Sequence, residues 1–312
     1  MIVSKKKHVL IYGDVFVDYI AKDHTNTTFN KFLGGATVNV AAGVSRLGAP
    51  SAFITVIGDD ATSQFVWNEL RQEGVDLSFA KLENAKRVCG VSIHLTKDHE
   101  RIFHSYMNET PDIQVESADL QSDAFQNASV LHIGSGTMFH PTALSTTREA
   151  VRMAKASGVP LSFDANIRPL RWKNETFCRD TIMSFFSETD ILKLTDEELY
   201  FLTETETLEA GIAKLTSYHI PVVLITVGAQ GTFAVLDGHV THVGVEQIKP
   251  VDTTGAGDAF IAGILRQIHI KGMPKTNEEW IDYISFGNKL GALCATKLGA
   301  LSAMPRFADL DE

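Results

Sequence analysis

Cysteine, proline and positive charge are all scarce in this sequence of 312 residues. Its three cysteines, Cys89, Cys178 and Cys294, are odd in number, widely spaced and free of any C-x-x-C pair. That pattern excludes a disulfide framework and a zinc site of that type, and points to reduced thiols. With 9 prolines, 44% hydrophobic and 21% charged residues, the composition is that of a folded chain rather than a disordered one. Lysine and arginine number 28 against 38 acidic residues, a net charge of −10. This argues against nucleic acid or an anionic membrane as partner, because such binders carry a clustered basic excess. The one basic run, Lys5-Lys6-Lys7, reads as a solvated lead into a strand. No stretch reaches the roughly 18 apolar residues of a membrane span, and the apolar segment after Lys7 is cut by Gly13-Asp14 before signal-peptide length. The expected compartment is the cytoplasm.

From about residue 129, short apolar runs alternate with amphipathic stretches: SVLHIGS, Pro141 to Ser157, VPLSFDA, Thr176 to Ser187, DILKLT, Asp196 to Leu202 and PVVLITV. Buried strands alternating with helices specify a mostly parallel sheet covered on both faces. Nearer the start, HVLIYGD and SAFITVIG each read as one strand, with a small-residue helix over Ala36 to Leu47 ended by Gly48. Residues from about 18 to 34 and about 80 to 112 instead show β-type alternation without a helix, the second as a hairpin turning at Asp98-His99. They predict a small β-sheet lid inserted into one α/β domain spanning 1–312, with edge strands open to pairing across a homodimer.

The sharpest local signal is Asp252-Thr253-Thr254-Gly255-Ala256-Gly257-Asp258-Ala259-Phe260, followed by the helical pattern IAGILRQI. Small residues at 255–257 let a ligand approach the backbone, and their N–H groups face outward where the helix begins, which makes an anion site. It is neither a P-loop nor a dinucleotide fingerprint, since Phe260 stands where the third glycine would be. Asp258 is then either a helix-terminal carboxylate or a general base acting beside those amides.

Together with Gly34-Gly35-Ala36-Thr37-Val38-Asn39-Val40-Ala41, this segment resembles the two signatures of the ribokinase-like (PfkB) carbohydrate kinases, in the family's order and spanning nearly the whole chain. The resemblance implies a three-layer α/β/α ribokinase-like fold with a mostly parallel central sheet. It assigns the base to Asp258 and an anion hole to Gly255, Ala256 and Gly257. Asp14 and Asp18, in a G-[DE]-x-x-x-D segment, would take sugar hydroxyls together with Asn39, while Gly34 and Gly35 admit the sugar to the backbone. Asn39 reads equally as a satisfied core amide.

The stretch from Phe163 to Trp172 is similar to the FDxNxRxxLW segment of the fructokinase and ketodeoxygluconokinase branch. It places Asn166 and Arg168 at a strand's carboxyl end, where ligands bind in open parallel sheets; Arg168 serves substrate, phosphate or a surface ion pair. Lys193, Thr195 and Glu198 occupy the family's N-x-x-E position. Glu198 would act on Mg²⁺ through water, or form a capping box with Thr195. Thr226, Gly228 and Gly231 match the turn that holds ATP phosphates, and Asn288 a position bordering adenine. A K⁺ site near Asp252, Thr254, Cys294, Lys297 and Gly299 is implied, with Ala303 where the family has serine. Tyr106, Arg101 and Phe103 stand where lid residues close over substrate. The expected activity is transfer of the γ-phosphoryl group of Mg·ATP to a neutral sugar, fructose first. 2-Dehydro-3-deoxygluconate or ribose are the alternatives, and a catalytically silent sugar sensor is the non-enzymatic one.

Overall fold

The computed structural model describes residues 7–98 and 100–310. Lys5 and Lys6 of the basic run and His99 of the lid turn lie outside that range. In chain order the elements are β1 (His8–Tyr12), β2 (Phe16–Ala21), β3 (Phe29–Gly34), α1 (Ala36–Arg46), β4 (Ser51–Ile54), β5 (Val56–Ile57), α2 (Ala61–Gln72), β6 (Lys81–Leu82), β7 (Cys89–Leu95) and β8 (Arg101–Met107). There follow α3 (Ser122–Gln126), β9 (Ala128–Gly134), α4 (Pro141–Ala156), β10 (Leu161–Asp164), α5 (Glu175–Met183), β11 (Ile191–Thr195), α6 (Asp196–Thr203) and α7 (Leu208–Leu215). The chain ends with β12 (Val222–Thr226), β13 (Thr232–Leu236), β14 (His239–Val243), α8 (Ala256–Lys271) and α9 (Asn277–Ala295).

The central sheet has eight strands in the order β14-β13-β12-β11-β10-β9-β1-β4. Pairing is parallel from β4 through β12 and antiparallel for the hairpin of β12, β13 and β14. Its three layers follow from strand periodicity, which sends alternate side chains to opposite faces. Val9 and Ile11 of β1 and Val222 and Leu224 of β12 join one core cluster with residues of α1 and α8. Their neighbours Leu10, Tyr12, Val223 and Ile225 join the other, with residues of α4 and α6. Buried on both faces, these strands read as unbroken apolar runs.

Two features differ from the sequence expectation. SAFITVIG is two strands, because the pairing of β4 with β1 ends at Tyr12 and Ile54; beyond Thr55 the chain turns to pair β5 with β6. Helix α2 was not foreseen, as its buried stripe is only Ser63, Val66 and Leu70; Asp60 caps it by accepting from Ser63 N.

The small sheet runs β3-β2-β7-β8, with a bulge between Ser92 and Ile93. It grows from the carboxyl end of β1 through Gly13 and Asp14 and returns to the core at Gly35, so it stands over that end of the central sheet. No helix of the described residues is long and apolar enough to cross a membrane.

Candidate active site

Two cavities open at the carboxyl ends of the parallel strands, and the N-terminal turn of α8 is a wall of both. One, of about 260 Å³, is lined by Asp14, Asp18, Asn39, Arg168, Gly255 and Asp258 among others. The second, of about 480 Å³, is lined by Lys193, Thr195, Thr226, Ala256, Gly257 and Asn288 among others. Successive residues of one turn thus face different chambers. Gly255 makes this possible by adopting φ 81°, a left-handed conformation open mainly to glycine.

Asp258 is buried at the inner end of the first cavity. Its Oδ2 accepts from Asn39 Nδ2 at 2.8 Å, joining α1 to α8. Burial, opposed by that hydrogen bond, pushes its carboxyl up to about 6; the Asp164 carboxylate adds to the rise, and Lys193 and Arg168 oppose it. A carboxyl tuned toward neutral pH suits general-base work. Asn39 is buried too, and its Oδ1 has no hydrogen-bond partner among the described residues. A buried orphan acceptor lining a cavity is a place for a ligand hydroxyl.

Beneath the turn, Lys193 and Asp164 stand opposite each other on β11 and β10. The ammonium donates to both carboxylate oxygens, at 3.1 and 3.0 Å, with side-chain exposures of 4% and 3%. Burial pulls Lys193 down, yet Asp164, Glu198 and Asp258 together hold it above its ordinary range, so it stays charged. A Cβ at Gly257 would lie 2.9 Å from its Nζ. The positive charge therefore sits directly under the amides of the turn.

Thr195 and Glu198 form the capping box: Glu198 N donates to Thr195 Oγ1 at 3.1 Å and Thr195 N to Glu198 Oε2 at 2.9 Å. Glu198 Oε1 accepts from Ile167 N at 2.7 Å. With both oxygens on backbone amides, Glu198 lines neither cavity.

In the first cavity, Asp14 and Asp18 flank the root of the lid. A Cβ at Gly34 would fall 2.7 Å from Asp18 Oδ2, and Gly35 adopts φ 112°, with Asp14 O 3.1 Å from where a Cβ would be. Gly35→Ala is therefore expected to destabilise the fold by about 1–3 kcal/mol of backbone strain, measured by thermal melts. Asn166 is left-handed at φ 37°. Arg168 is exposed and forms no salt bridge among the described residues; its Nη1 donates to Ile167 O. Tyr106, from β8, completes the rim; the side chain of Arg101 lies outside the described residues. Arg171, to which the sequence alone assigns no role, also lines this cavity. It stands where FDxNxRxxLW has leucine, a departure that was the available signal.

In the second cavity, Gly228 and Gly231 take positive φ of 46° and 92°. A Cβ at Gly231 would collide with Val243 O, so the turn is tied to β14. Asn288 builds the wall: it accepts from Thr232 Oγ1 at 2.7 Å and donates to Val243 O and Gly244 O. Behind the glycine turn, Asp252 accepts from Thr254 N and Oγ1 and from Gly299 N. The Cys294 thiol donates to Thr254 O at 3.7 Å, and Ala303 is buried.

The profile of the pfkB family carbohydrate kinases matches residues 6–306. The fructokinase of Klebsiella pneumoniae is 34% identical over 303 residues, 97% of each chain. A double mutant of the Vibrio cholerae O395 fructokinase, solved in a fructose-, ADP- and potassium-bound form, superposes with a TM-score of 0.88 at 30% identity, covering 99% of this chain and 98% of that one. The Xylella fastidiosa fructokinase with bound ATP gives a TM-score of 0.88 at 26% identity over 97% of both. With both motifs, the ribokinase-like layers and the small separate sheet in place, the chain belongs to the pfkB family of carbohydrate kinases and is a phosphotransferase acting on a sugar hydroxyl.

Proposed function

We propose that the chain phosphorylates fructose with Mg·ATP, sugar in the cavity of Asp14, Asp18, Asn39, Asn166, Arg168 and Tyr106, nucleotide in the cavity of Lys193, Thr195, Thr226, Gly228, Gly231 and Asn288. The observation that carries this reading is the α8 turn shared by the two cavities, with Asp258 on the sugar side. A sugar hydroxyl oxygen attacks the γ-phosphorus, the bond to the β-phosphate bridging oxygen breaks, and the hydroxyl proton passes to the Asp258 carboxylate. ADP and the sugar phosphate result. The amides of Gly255, Ala256 and Gly257, with Lys193 beneath them, receive the charge on the transferring oxygens, which is the main demand of phosphoryl transfer.

Mg²⁺ keeps much of its hydration shell; Glu198 lines neither cavity and has both oxygens on amides, so it would act on the ion only at a distance, through bridging water. Bound with ATP, the ion neutralises phosphate charge. For K⁺ the fit is poor: Ala303 offers no side-chain oxygen and the Thr254 carbonyl already accepts a thiol, so no step is assigned to it.

Sugar-dependent ADP release over a panel of fructose, ribose and 2-dehydro-3-deoxygluconate tests the reading. Fructose is expected to give the highest kcat/KM; a higher value for either other acceptor would overturn the assignment. Asn39→Ala supplies a second check. Its N–H favours the charged form of Asp258, so its loss raises that carboxyl above about 6 and moves the acid limb of kcat/KM to higher pH. Superimposable pH profiles would contradict this.

For quaternary structure we read the lid as a homodimer surface. The edges of β3 and β8 are unpaired within the described sheet, and Phe32, Ile102, Phe103 and Met107 are exposed on it. Sedimentation is expected to show a dimer that Phe103→Glu dissociates; a wild-type monomer would refute it.

A further inference from the structure

We propose that Arg171 is a positioning residue for the sugar: it fixes Asp14 as an acceptor for substrate hydroxyls and, by stacking on rings of lid and core together, ties that acceptor to the lid's position over the cavity. Arg171 Nη1 lies 3.5 Å from Asp14 Oδ2 and donates to Gly136 O at 3.2 Å. Its guanidinium carbon stands 3.9 Å from the ring centre of Phe139, which follows β9 in the core. It stands 4.8 Å from Phe16 on β2 and 5.6 Å from Tyr106 on β8, both lid strands. Only 9% of the side chain is exposed. A planar cation can stack on aromatic faces while its edge forms directed bonds, a combination lysine cannot reproduce.

One residue thereby touches both parts that must come together around a bound sugar. If the lid shifts, the rings of Phe16 and Tyr106 move relative to the guanidinium, and Asp14 loses its fixed partner. Asp14 depends on that partner electrostatically as well. Burial raises its carboxyl, and Arg171 opposes the rise first, with Lys86 and His140 also opposing it. Lys86 is itself committed to Ile113 O and Thr110 O, and His140 to Asp112, so neither replaces the arginine.

The test is steady-state kinetics of Arg171→Leu and Arg171→Lys with fructose, across pH. Losing a charge-assisted contact to the binding carboxylate is expected to raise the sugar KM of Arg171→Leu about 10- to 100-fold, leaving the ATP KM unchanged and kcat within about threefold. Asp14, left without its main cation, would then protonate at higher pH, so the sugar KM of Arg171→Leu is expected to climb more steeply than that of the wild type as pH falls. Arg171→Lys should flatten that pH dependence while keeping the raised KM, since it restores charge without the planar face. Phe139→Leu, which removes a stacking ring outside the cavity, should raise the sugar KM in the same direction, and it decides the matter if Arg171→Leu does not fold.

A sugar KM unchanged in Arg171→Leu or in Phe139→Leu, or a drop in kcat alone, would overturn the proposal; full rescue by lysine would overturn the aromatic clamp. The inference rests on reading this cavity as the sugar site. A wild-type chain without sugar-dependent ADP release defeats that reading, whereas an active wild type with kinetically silent Arg171 variants defeats this inference alone.

Discussion

Asp258→Asn is expected to lower kcat by a factor of roughly 10²–10⁴, the range of general-base catalysis, with little change in sugar affinity. The substitution keeps the shape of the side chain and an oxygen to accept from Asn39 Nδ2, now 2.8 Å away, but removes the group that takes the hydroxyl proton. Stability should move the other way. Burial holds this carboxyl up at about 6 in the fold, against about 3.9 in an unfolded chain. A raised carboxyl favours the fold fully below the unfolded value, and that contribution is lost as pH rises through about 6. At neutral pH the native state therefore carries a disfavoured buried charge that asparagine lacks. The variant should melt no lower than wild type at pH 7.5, while initial rates coupled to ADP detection fall. A variant that retains turnover removes Asp258 as base; one that melts far lower shows that its role is structural.

Lys193→Met should have the largest effect on stability, about 3–5 kcal/mol, because removing one partner of a buried pair strands the other charge. Asp164 is 2% exposed, and Lys193 supplies both of its cross-strand bonds. Methionine keeps the apolar stem and so isolates the charge from the packing. Denaturant unfolding at pH 7.5 measures the loss. Adding Asp164→Asn to Lys193→Met should recover much of it, since the pair's coupling is lost only once. A single variant as stable as wild type, or a double variant that loses the sum of both, would contradict a mutually compensating pair. In the proposed reading, a chain with a net charge of −10 accepts a polyanionic nucleotide chiefly through the helix-terminal amides of the turn, because the Lys193 charge is already compensated by Asp164.

Much of this was legible in the sequence because it follows from local pattern. Strand periodicity set out the central layers, small residues before an apolar helix located the turn at 255–257, and Thr195 with Glu198 spelled a capping box that the fold forms. What escaped depends on contacts between distant segments. Asn39 and Asp258 are 219 positions apart, so sequence could suggest a buried amide but not its partner. Arg171 stands out in the sequence only as a departure from the FDxNxRxxLW leucine; its role appears once β2 and β8 bring Phe16 and Tyr106 against it. The break at Thr55 arises where β1 ends and stops offering a partner, a property of the neighbouring strand. Asn288 could be placed beside the nucleotide turn, yet its amide is spent on the β13–β14 hairpin and Gly244.

In the proposed reaction, one turn of α8 passes a phosphoryl group from a nucleotide cavity to a sugar cavity. Rapid quench of the wild-type chain with γ-labelled ATP and fructose follows that transfer itself. The expected result is label appearing on the sugar in equal amount to the ADP formed, and none without sugar. Label released as inorganic phosphate, or ADP formed independently of sugar, would contradict it.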